Sequence, residues 1–184
     1  MLRMEIALFM VLAFVACVYF SAGRRATPLH RTFSVLLVEA YMELMCCRYP
    51  ELHCDYDIDP DLGGMKVPNF ILQPLVENSL LHGLKNKGYR GEVRICARKT
   101  PDGQMEILVS DTGSGFTEGK KFAIDRMLLT YSRQPAKLEG NSIGILNVQK
   151  RIKLLCGREY GLSYTENPSG GVTARLLPRK EDVP

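Results

Sequence analysis

The stretch LQPLVENSLLHGL, Leu72 to Leu84, constrains the fold most, because it combines an apolar run of helical length with three polar side chains. Its apolar residues recur at helical spacing and predict a mostly buried helix. Asn78 and His82 are four residues apart and share one face of that helix, with Glu77 beside them. Burying a neutral polar group without a partner costs about 1–3 kcal/mol. Either the fold or a ligand must therefore satisfy these groups.

The composition of the chain is that of a globular protein and argues against nucleic-acid binding. Its 184 residues give room for one compact domain with an appendage. Hydrophobic residues make up 46% and charged residues 24%, which is ordinary for a globular protein. The net charge is only +4 and the basic residues are scattered, whereas nucleic-acid-binding domains usually carry a basic stripe. We therefore expect no nucleic-acid partner.

The six cysteines, at positions 17, 46, 47, 54, 96 and 156, form no C-x-x-C pair. They predict free thiols that pack as small hydrophobic side chains in a reducing compartment. A soft-metal site at Cys46, Cys47, His53 and Cys54 is the less favoured alternative.

The N-terminal part of the chain differs from the rest. Residues 6–23 contain no charge and are long enough for a short membrane span. Arg24, Arg25 and Arg31 follow the run and predict a cytoplasmic C-terminal side. A signal peptide and a misassigned start are the alternatives. We therefore divide the chain into a hydrophobic segment with a basic linker, residues 1–33, and a domain, residues 34–184, on the cytoplasmic side of the cell membrane.

The remaining sequence predicts one α+β domain without internal repeats. A helix from Phe33 ends before Pro50, a strand follows at residues 53–59, and the helix of Asn78 begins with Pro68 in its first turn. Alternating stretches at residues 91–111 and 160–178 predict hairpins, with helices at residues 120–131 and 143–157. Together they predict a two-layer α/β sandwich, with a mixed, mostly antiparallel sheet covered by helices on one face.

This domain contains three loops that carry glycines. In DTGSGF, Asp111 ends a strand, and Gly113 and Gly115 leave room for a flat ring or a phosphate against the backbone. In EGNSIG, Gly140 and Gly144 lead into a helix N-terminus, which favours anions. The third loop is SGGVT at residues 169–173. Each loop alone is also typical of an ordinary turn.

The order of these features resembles the GHKL ATP-binding superfamily, which includes gyrase B-type ATPases, heat-shock protein 90, MutL and histidine kinases. LQPLVENSLLHG and SIGILNVQKRIKLLCGREYGLSYTENPSGGVTARLLP look like the catalytic domain of sensor histidine kinases of the LytS/YesM type. The resemblance covers about Val38 to Pro178. It implies a Bergerat-type ATP-binding fold, with ATP and Mg²⁺ as cofactors.

The resemblance also implies a role for each polar residue of the site. Asn78 would bind Mg²⁺, and Glu77 would orient the attacking group or hold a metal-bound water. His82 would lie near the phosphates or brace Asn78, with a satisfied core histidine as the alternative. Asp111 would accept the adenine amino group, and Thr173 would support that contact.

The glycines carry over in the same way, and three positions, Leu81, Thr112 and Ser142, depart from the family pattern. Gly113 and Gly115 would line the base, while Gly140 and Gly144 would fold a lid over the phosphates. Relatives often carry Lys where Leu81 stands, which removes one phosphate contact.

None of the three histidines, His30, His53 and His82, lies in a phosphoacceptor setting such as N-P-H-F. We therefore expect a histidine kinase catalytic domain that acts on a histidine of a separate or missing dimerisation segment. A response regulator and a second copy or an intact kinase are the expected partners. A nucleotide-binding regulatory module that transfers no phosphate is the runner-up, and an anti-sigma-factor serine kinase is a third class.

Overall fold

The structure is a computed structural model that describes residues 29–64, 71–130, 143–158 and 160–177. Its centre is a five-stranded sheet with the order β1-β2-β3-β5-β4. Strands β1 and β2 are parallel and every other neighbouring pair is antiparallel, so the predicted mixed sheet is confirmed. The strands are β1 Leu52–Ile58, β2 Gly91–Lys99, β3 Met105–Asp111, β4 Gly161–Glu166 and β5 Val172–Leu177.

The described helices are connected to this sheet in the predicted order. The α-helices are α1 Leu29–Arg48, α2 Leu72–Asn78, α3 Lys120–Thr130 and α4 Ile143–Leu155; the short turns are the 3-10 helices Pro60–Gly64 and Lys85–Lys87 and the π-helix Ser79–Leu84. Helix α1 contacts β1 and α2, whereas α3 and α4 contact β4. The first helix ends two residues before Pro50, as predicted, because the residue before a proline disfavours helical backbone.

The core lies between the helices and one face of the sheet. On β3 the side chains of Met105, Ile107 and Val109 are buried at every second position, as the two-residue period of a strand requires. Helix α1 buries Val38, Tyr41, Met42 and Met45, which lie three and four residues apart and form one helical face. Apolar residues on two facing surfaces therefore produce the predicted two-layer sandwich.

The other face of the sheet is polar. Arg94 of β2 forms ion pairs with Asp55 at 3.2 Å and with Asp57 at 3.1 Å, both on the neighbouring strand β1. Arg98 donates to Glu106 at 2.8 Å. These charges alternate with the buried positions of the same strands, so this face of the sheet carries no helix of the described part.

The predicted helix around Asn78 is confirmed, but its geometry changes at that residue. Helix α2 ends at Asn78 and continues as the π-helical turn Ser79–Leu84. Such turns are rare and frequently occur at functional sites. Pro74 occupies the third position of α2, where its missing N–H costs no helical hydrogen bond.

Some predictions fall outside the described residues. They concern the hydrophobic residues 6–23 and the loop that contains Gly140. The predicted start of the Asn78 helix at Pro68 is wrong, because the helix begins at Leu72, after the N-cap Ile71. Among the helices of residues 29–64, 71–130 and 143–158, none is both long and apolar enough to cross a membrane.

Candidate functional site

A cavity lies at the end of β3, between the sheet and the helices. Leu75, Ile124, Ile145 and Ala174 give it apolar walls. Its empty volume is about 490 Å³, part of which is open to solvent. An apolar recess with a few convergent polar groups is the usual form of a small-molecule site.

Asp111 is the buried acid of this cavity. It continues the buried alternation of β3 and therefore points to the helix-covered side, where it is only 4% exposed. Its Oδ1 accepts the N–H of Gly113 at 2.9 Å and the N–H of Val172 at 3.3 Å. Burial raises the pKa of Asp111, and the hydrogen bonds from Gly113, Ser79 and Val172 oppose that shift. The fold thus holds one carboxylate in a fixed orientation.

Glycines allow the backbone to pack tightly around this acid. A Cβ on Gly83 would lie 2.6 Å from Oδ1 of Asp111, and one on Gly171 would lie 1.9 Å from the Asp111 carbonyl oxygen. Gly113 packs against the backbone of Gly83, where a Cβ would approach to 2.4 Å. Only glycine permits these approaches. The loop after β3 is therefore fitted between the π-helical turn and the β4–β5 hairpin.

Asn78 and Tyr164 both line this cavity. The amide nitrogen Nδ2 of Asn78 is buried and has no hydrogen-bond partner among the described residues, and the hydroxyl of Tyr164 is in the same state. A buried polar group without a partner is costly, and most native groups avoid it. Any rearrangement on ligand binding that gives these two groups a partner would therefore be stabilised.

The side of the cavity near His82 is positively charged. Burial lowers the pKa of His82, and the ammonium groups of Lys120 and Lys85 lower it further. His82 and Lys120 both line the cavity. Lysine ammonium groups around a neutral imidazole suit an anionic ligand group.

The structure brings together four of the predicted site residues. Asn78, His82, Asp111 and Gly115 line the cavity. Gly113 lies behind Asp111 as described above, and Gly144 lies in α4, where an added Cβ would be 3.9 Å from Cβ of Pro74. Gly140 lies outside the described residues.

Glu77 and Thr173 are the two predicted residues that point elsewhere. The carboxylate of Glu77 accepts a hydrogen bond from Gln73 at 3.0 Å, one helical turn away. Thr173 is adjacent to the cavity residue Ala174 on β5, so its side chain lies on the opposite face. There its hydroxyl pairs with Ser110 at 2.8 Å.

Thr173 still connects to Asp111 through one intermediate side chain. Its hydroxyl donates to Oδ1 of Asn167 at 2.7 Å, and Nδ2 of Asn167 donates to the carbonyl oxygen of Asp111 at 3.0 Å. Thr173 therefore supports the backbone of Asp111 rather than the cavity itself.

Besides the apolar walls, sequence reasoning missed Ser79, Gly83, Lys120 and Tyr164, which also line the cavity. Gly83 was visible as a glycine inside a helical pattern, which often marks close packing. Tyr164 was visible as the second inward position of GLSYTE, after Leu162. Nothing local identified Ser79 or Lys120, because their positions depend on elements distant in the sequence.

Comparison with known proteins identifies the family of this domain. The family model described as histidine kinase-, DNA gyrase B-, and HSP90-like ATPase matches residues 69–182, more than half of the chain. Sensor protein LytS of Oceanobacillus iheyensis is 30% identical over 161 residues, which is 85% of this chain and 26% of that protein. Sensor histidine kinase YpdA of Escherichia coli is 35% identical over 125 residues, 68% of this chain and 20% of that protein.

Another relative, protein YwpD of Bacillus subtilis, is 31% identical over 142 residues, or 77% of this chain. The chain spans 46% of the length of YwpD and about a quarter of LytS.

Solved structures share the fold. The catalytic domain of histidine kinase ThkA matches with a TM-score of 0.57 at 14% identity, over 82% of this chain and 92% of that domain. ThkA in complex with response regulator protein TrrA matches with a TM-score of 0.54 at 16% identity, over 80% of this chain and 39% of ThkA. At these identities the likeness concerns the fold alone.

The sandwich fold and the family match over residues 69–182 agree. The chain belongs to the histidine kinase-, DNA gyrase B-, and HSP90-like ATPase family, and within it resembles the LytS-type sensor kinases.

Proposed function

We propose that the cavity binds ATP with Mg²⁺, and the buried carboxylate of Asp111 carries this proposal. A carboxylate has about four acceptor positions. Gly113, Val172 and Ser79 occupy three of them. The remaining position suits the exocyclic amino group of adenine, and the apolar walls suit its ring. Guanine presents a carbonyl oxygen at that place, which a carboxylate would repel.

Mg²⁺ would be held by the Oδ1 atom of Asn78 and by the ligand itself. Mg²⁺ commonly uses one or two protein ligands and completes its octahedron with phosphate oxygens and water. Within the part of the chain that the structure describes, no group of three or more His, Cys, Asp or Glu could form a metal site. A single amide ligand fits this pattern. The ion would neutralise phosphate charge.

The residues of this chain would orient the phosphates. His82 and Lys120 lie at the charged side of the cavity, and Lys85 acts on the same imidazole. Gly115 would allow close approach of the ligand, and Gly140 and Gly144 belong to the proposed lid. Glu77 would act through a water molecule, since its carboxylate is directed to Gln73.

We further propose that the chain provides the ATP-binding catalytic part of a two-component sensor histidine kinase. The similarity to LytS and YpdA supports this, since one is named a sensor protein and the other a sensor histidine kinase. The γ-phosphoryl group would pass to a histidine of a dimerisation segment and then to a response regulator. ThkA has been solved with such a regulator. The chain would act as a homodimer or beside an intact kinase.

We place this function at the cell membrane, with the ATP-binding domain in the cytoplasm. The support is the uncharged run at residues 6–23 and the arginines that follow it. Fractionation of cells that express the full chain and a chain lacking residues 1–33 tests this. The full chain should sediment with membranes and the shortened chain should not.

Calorimetric titration of the full chain with ATP, in excess Mg²⁺ and in EDTA, tests the binding proposal. We expect micromolar to millimolar affinity, about −4 to −8 kcal/mol, that Mg²⁺ strengthens. The variant Asn78→Ala should lose the effect of Mg²⁺ while its melting temperature stays close to wild type. Asn147→Ala, at an exposed position of α4, is the matched control. Equal effects of Mg²⁺ in Asn78→Ala and wild type would refute the assignment.

A further inference from the structure

Tyr164 places a phenol inside the cavity that no role above requires. Along β4, Leu162 and Tyr164 are the inward positions, and Tyr164 is only 6% exposed. Its ring meets that of Phe116 edge to face, with centroids 6.1 Å apart and planes at 76°. Burial and the contact with Phe116 fix the ring. Both neighbouring positions of the strand point to the opposite face of the sheet. The hydroxyl therefore has a defined place.

Tyr164 and Asn78 line the same cavity. Both Oη of Tyr164 and Nδ2 of Asn78 are buried without a hydrogen-bond partner among the described residues. Burial raises the pKa of the Tyr164 phenol, and the Asn78 amide opposes that shift, which a neighbouring donor would do. The two groups are therefore complementary, since the amide donates and the hydroxyl oxygen accepts.

An asparagine that binds a cation must present one end of its amide. Oδ1 is an acceptor and attracts the ion, whereas Nδ2 is a donor and repels it. Rotation of the amide by half a turn exchanges the two ends. A hydrogen-bond acceptor next to Nδ2 therefore decides how often the productive orientation is populated.

We propose that Tyr164 is a positioning residue for Asn78: when the magnesium complex binds, its hydroxyl oxygen accepts the Nδ2 hydrogen and thereby holds Oδ1 towards the ion. The inference rests on the proposed function, because it presumes that Asn78 binds Mg²⁺. Tyr164 touches neither the phosphates nor the ion in this arrangement. Its effect on nucleotide binding therefore passes through Asn78.

The test is the variant Tyr164→Phe in the full chain, titrated with ATP in excess Mg²⁺ and in EDTA. Its readout is the ratio of the two dissociation constants. Loss of one hydrogen bond should reduce the strengthening by Mg²⁺ about fivefold, while affinity in EDTA stays at the wild-type value. A purely structural role would weaken both conditions equally. The melting temperature should not fall, because the ring and its packing remain.

Tyr56→Phe is the matched control. Tyr56 also carries a buried hydroxyl without a partner in the described part of the chain, but it lies on β1, away from the cavity. Its variant should keep the wild-type effect of Mg²⁺. An unchanged ratio in Tyr164→Phe, or equal weakening with and without Mg²⁺, would overturn the role of Tyr164. A wild-type chain that binds ATP without any effect of Mg²⁺ would instead overturn the proposed function on which it rests.

Discussion

The backbone of Gly83 lies against the carboxylate of Asp111, so closely that a Cβ on Gly83 would be 2.6 Å from Oδ1. The same glycine accepts the N–H of Ser114 at 3.1 Å, which joins the π-helical turn to the loop after β3. Two segments that are distant in sequence thus meet without any side chain between them. The position of the acid depends on this contact.

Replacing Gly83 by alanine should displace Asp111 and weaken ATP binding. The added methyl group cannot be accommodated without a shift of the carboxylate, and overpacking of this kind costs about 1–3 kcal/mol. We expect a melting temperature lower by several degrees and an ATP affinity lower by about tenfold or more. Differential scanning fluorimetry and calorimetry measure the two effects.

Leu81→Ala is the control for this variant, because Leu81 is 45% exposed on the same π-helical turn. It should retain ATP affinity. If Gly83→Ala bound ATP as tightly as Leu81→Ala, the close contact would have no part in holding Asp111.

Replacing Asp111 by asparagine should abolish the preference for ATP over GTP. The asparagine oxygen can still accept the N–H groups of Gly113 and Val172, so the loop should keep its conformation. Its amide nitrogen would then face the adenine amino group, donor against donor. A hydrogen bond to a charged group is worth about 1.5–3 kcal/mol, so discrimination should fall about ten- to a hundredfold.

Competition between ATP and GTP for a fluorescent nucleotide measures this discrimination. Asp102→Asn, at an exposed turn position, removes the same charge elsewhere and should leave discrimination unchanged. Full discrimination in Asp111→Asn would contradict the role of Asp111 in base recognition.

The elements and the acid of the site were predictable because their signals are local. Two-residue alternation identified β3, and the position of Asp111 at its end followed from the same pattern. Helical periodicity likewise identified the helix that carries Asn78, although it gave no sign that the helix becomes a π-helix at Ser79. The π-helical turn depends on packing against the sheet, which a single segment does not encode.

The contacts between distant segments were not predictable. Thr173 was expected to support Asp111, and it does contact Asn167, which donates to the Asp111 carbonyl oxygen. No pattern in either strand indicated Asn167 as the intermediate. In the same way, the presence of Tyr164 in the cavity of Asn78 requires the final strand order, in which β4 is the edge strand beside β5.

Replacing Glu106 by glutamine should destabilise the fold without affecting the cavity. Glu106 accepts hydrogen bonds from Arg98 at 2.8 Å and from Arg175, on the polar face of the sheet. Loss of its charge leaves two guanidinium groups together. Because both arginines are about half exposed, solvent screens the effect, and we expect a loss of about 1–2 kcal/mol at pH 7.

The effect of this variant should depend on pH. Burial alone would raise the pKa of Glu106, but the hydrogen bonds from Arg98 and Arg175 outweigh it and lower the pKa below 4.5. The ionised group therefore stabilises the fold above pH 4.5, and this contribution is lost as the pH falls through the lowered folded-state value. Urea unfolding at pH 7 and pH 3 should show a smaller difference between wild type and variant at the lower pH. Glu118→Gln, at an exposed position, should show no such difference at either pH.

Phosphoryl transfer by this chain should require an acceptor supplied from outside it. Such transfer depends on an acceptor nitrogen held in line with the γ-phosphate, and the protein contributes mainly positioning. Of the three histidines, His53 lies in the ladder of β1, opposite Glu92, and His82 lines the nucleotide cavity. We therefore expect no acid-labile phosphate on the chain after incubation with γ-labelled ATP.

An added dimerisation segment from a LytS-type kinase should become labelled in trans, because it provides the nitrogen that the cavity lacks. The label should be acid-labile and alkali-stable, as expected of a phosphohistidine, and it should disappear with Asn78→Ala but persist with Asn147→Ala. Acid-labile phosphate on His30, His53 or His82 would contradict the requirement for an external acceptor. ATP binding without any labelling of the added segment would instead favour a nucleotide-binding regulatory module, because the cavity would then bind ATP without positioning it for transfer.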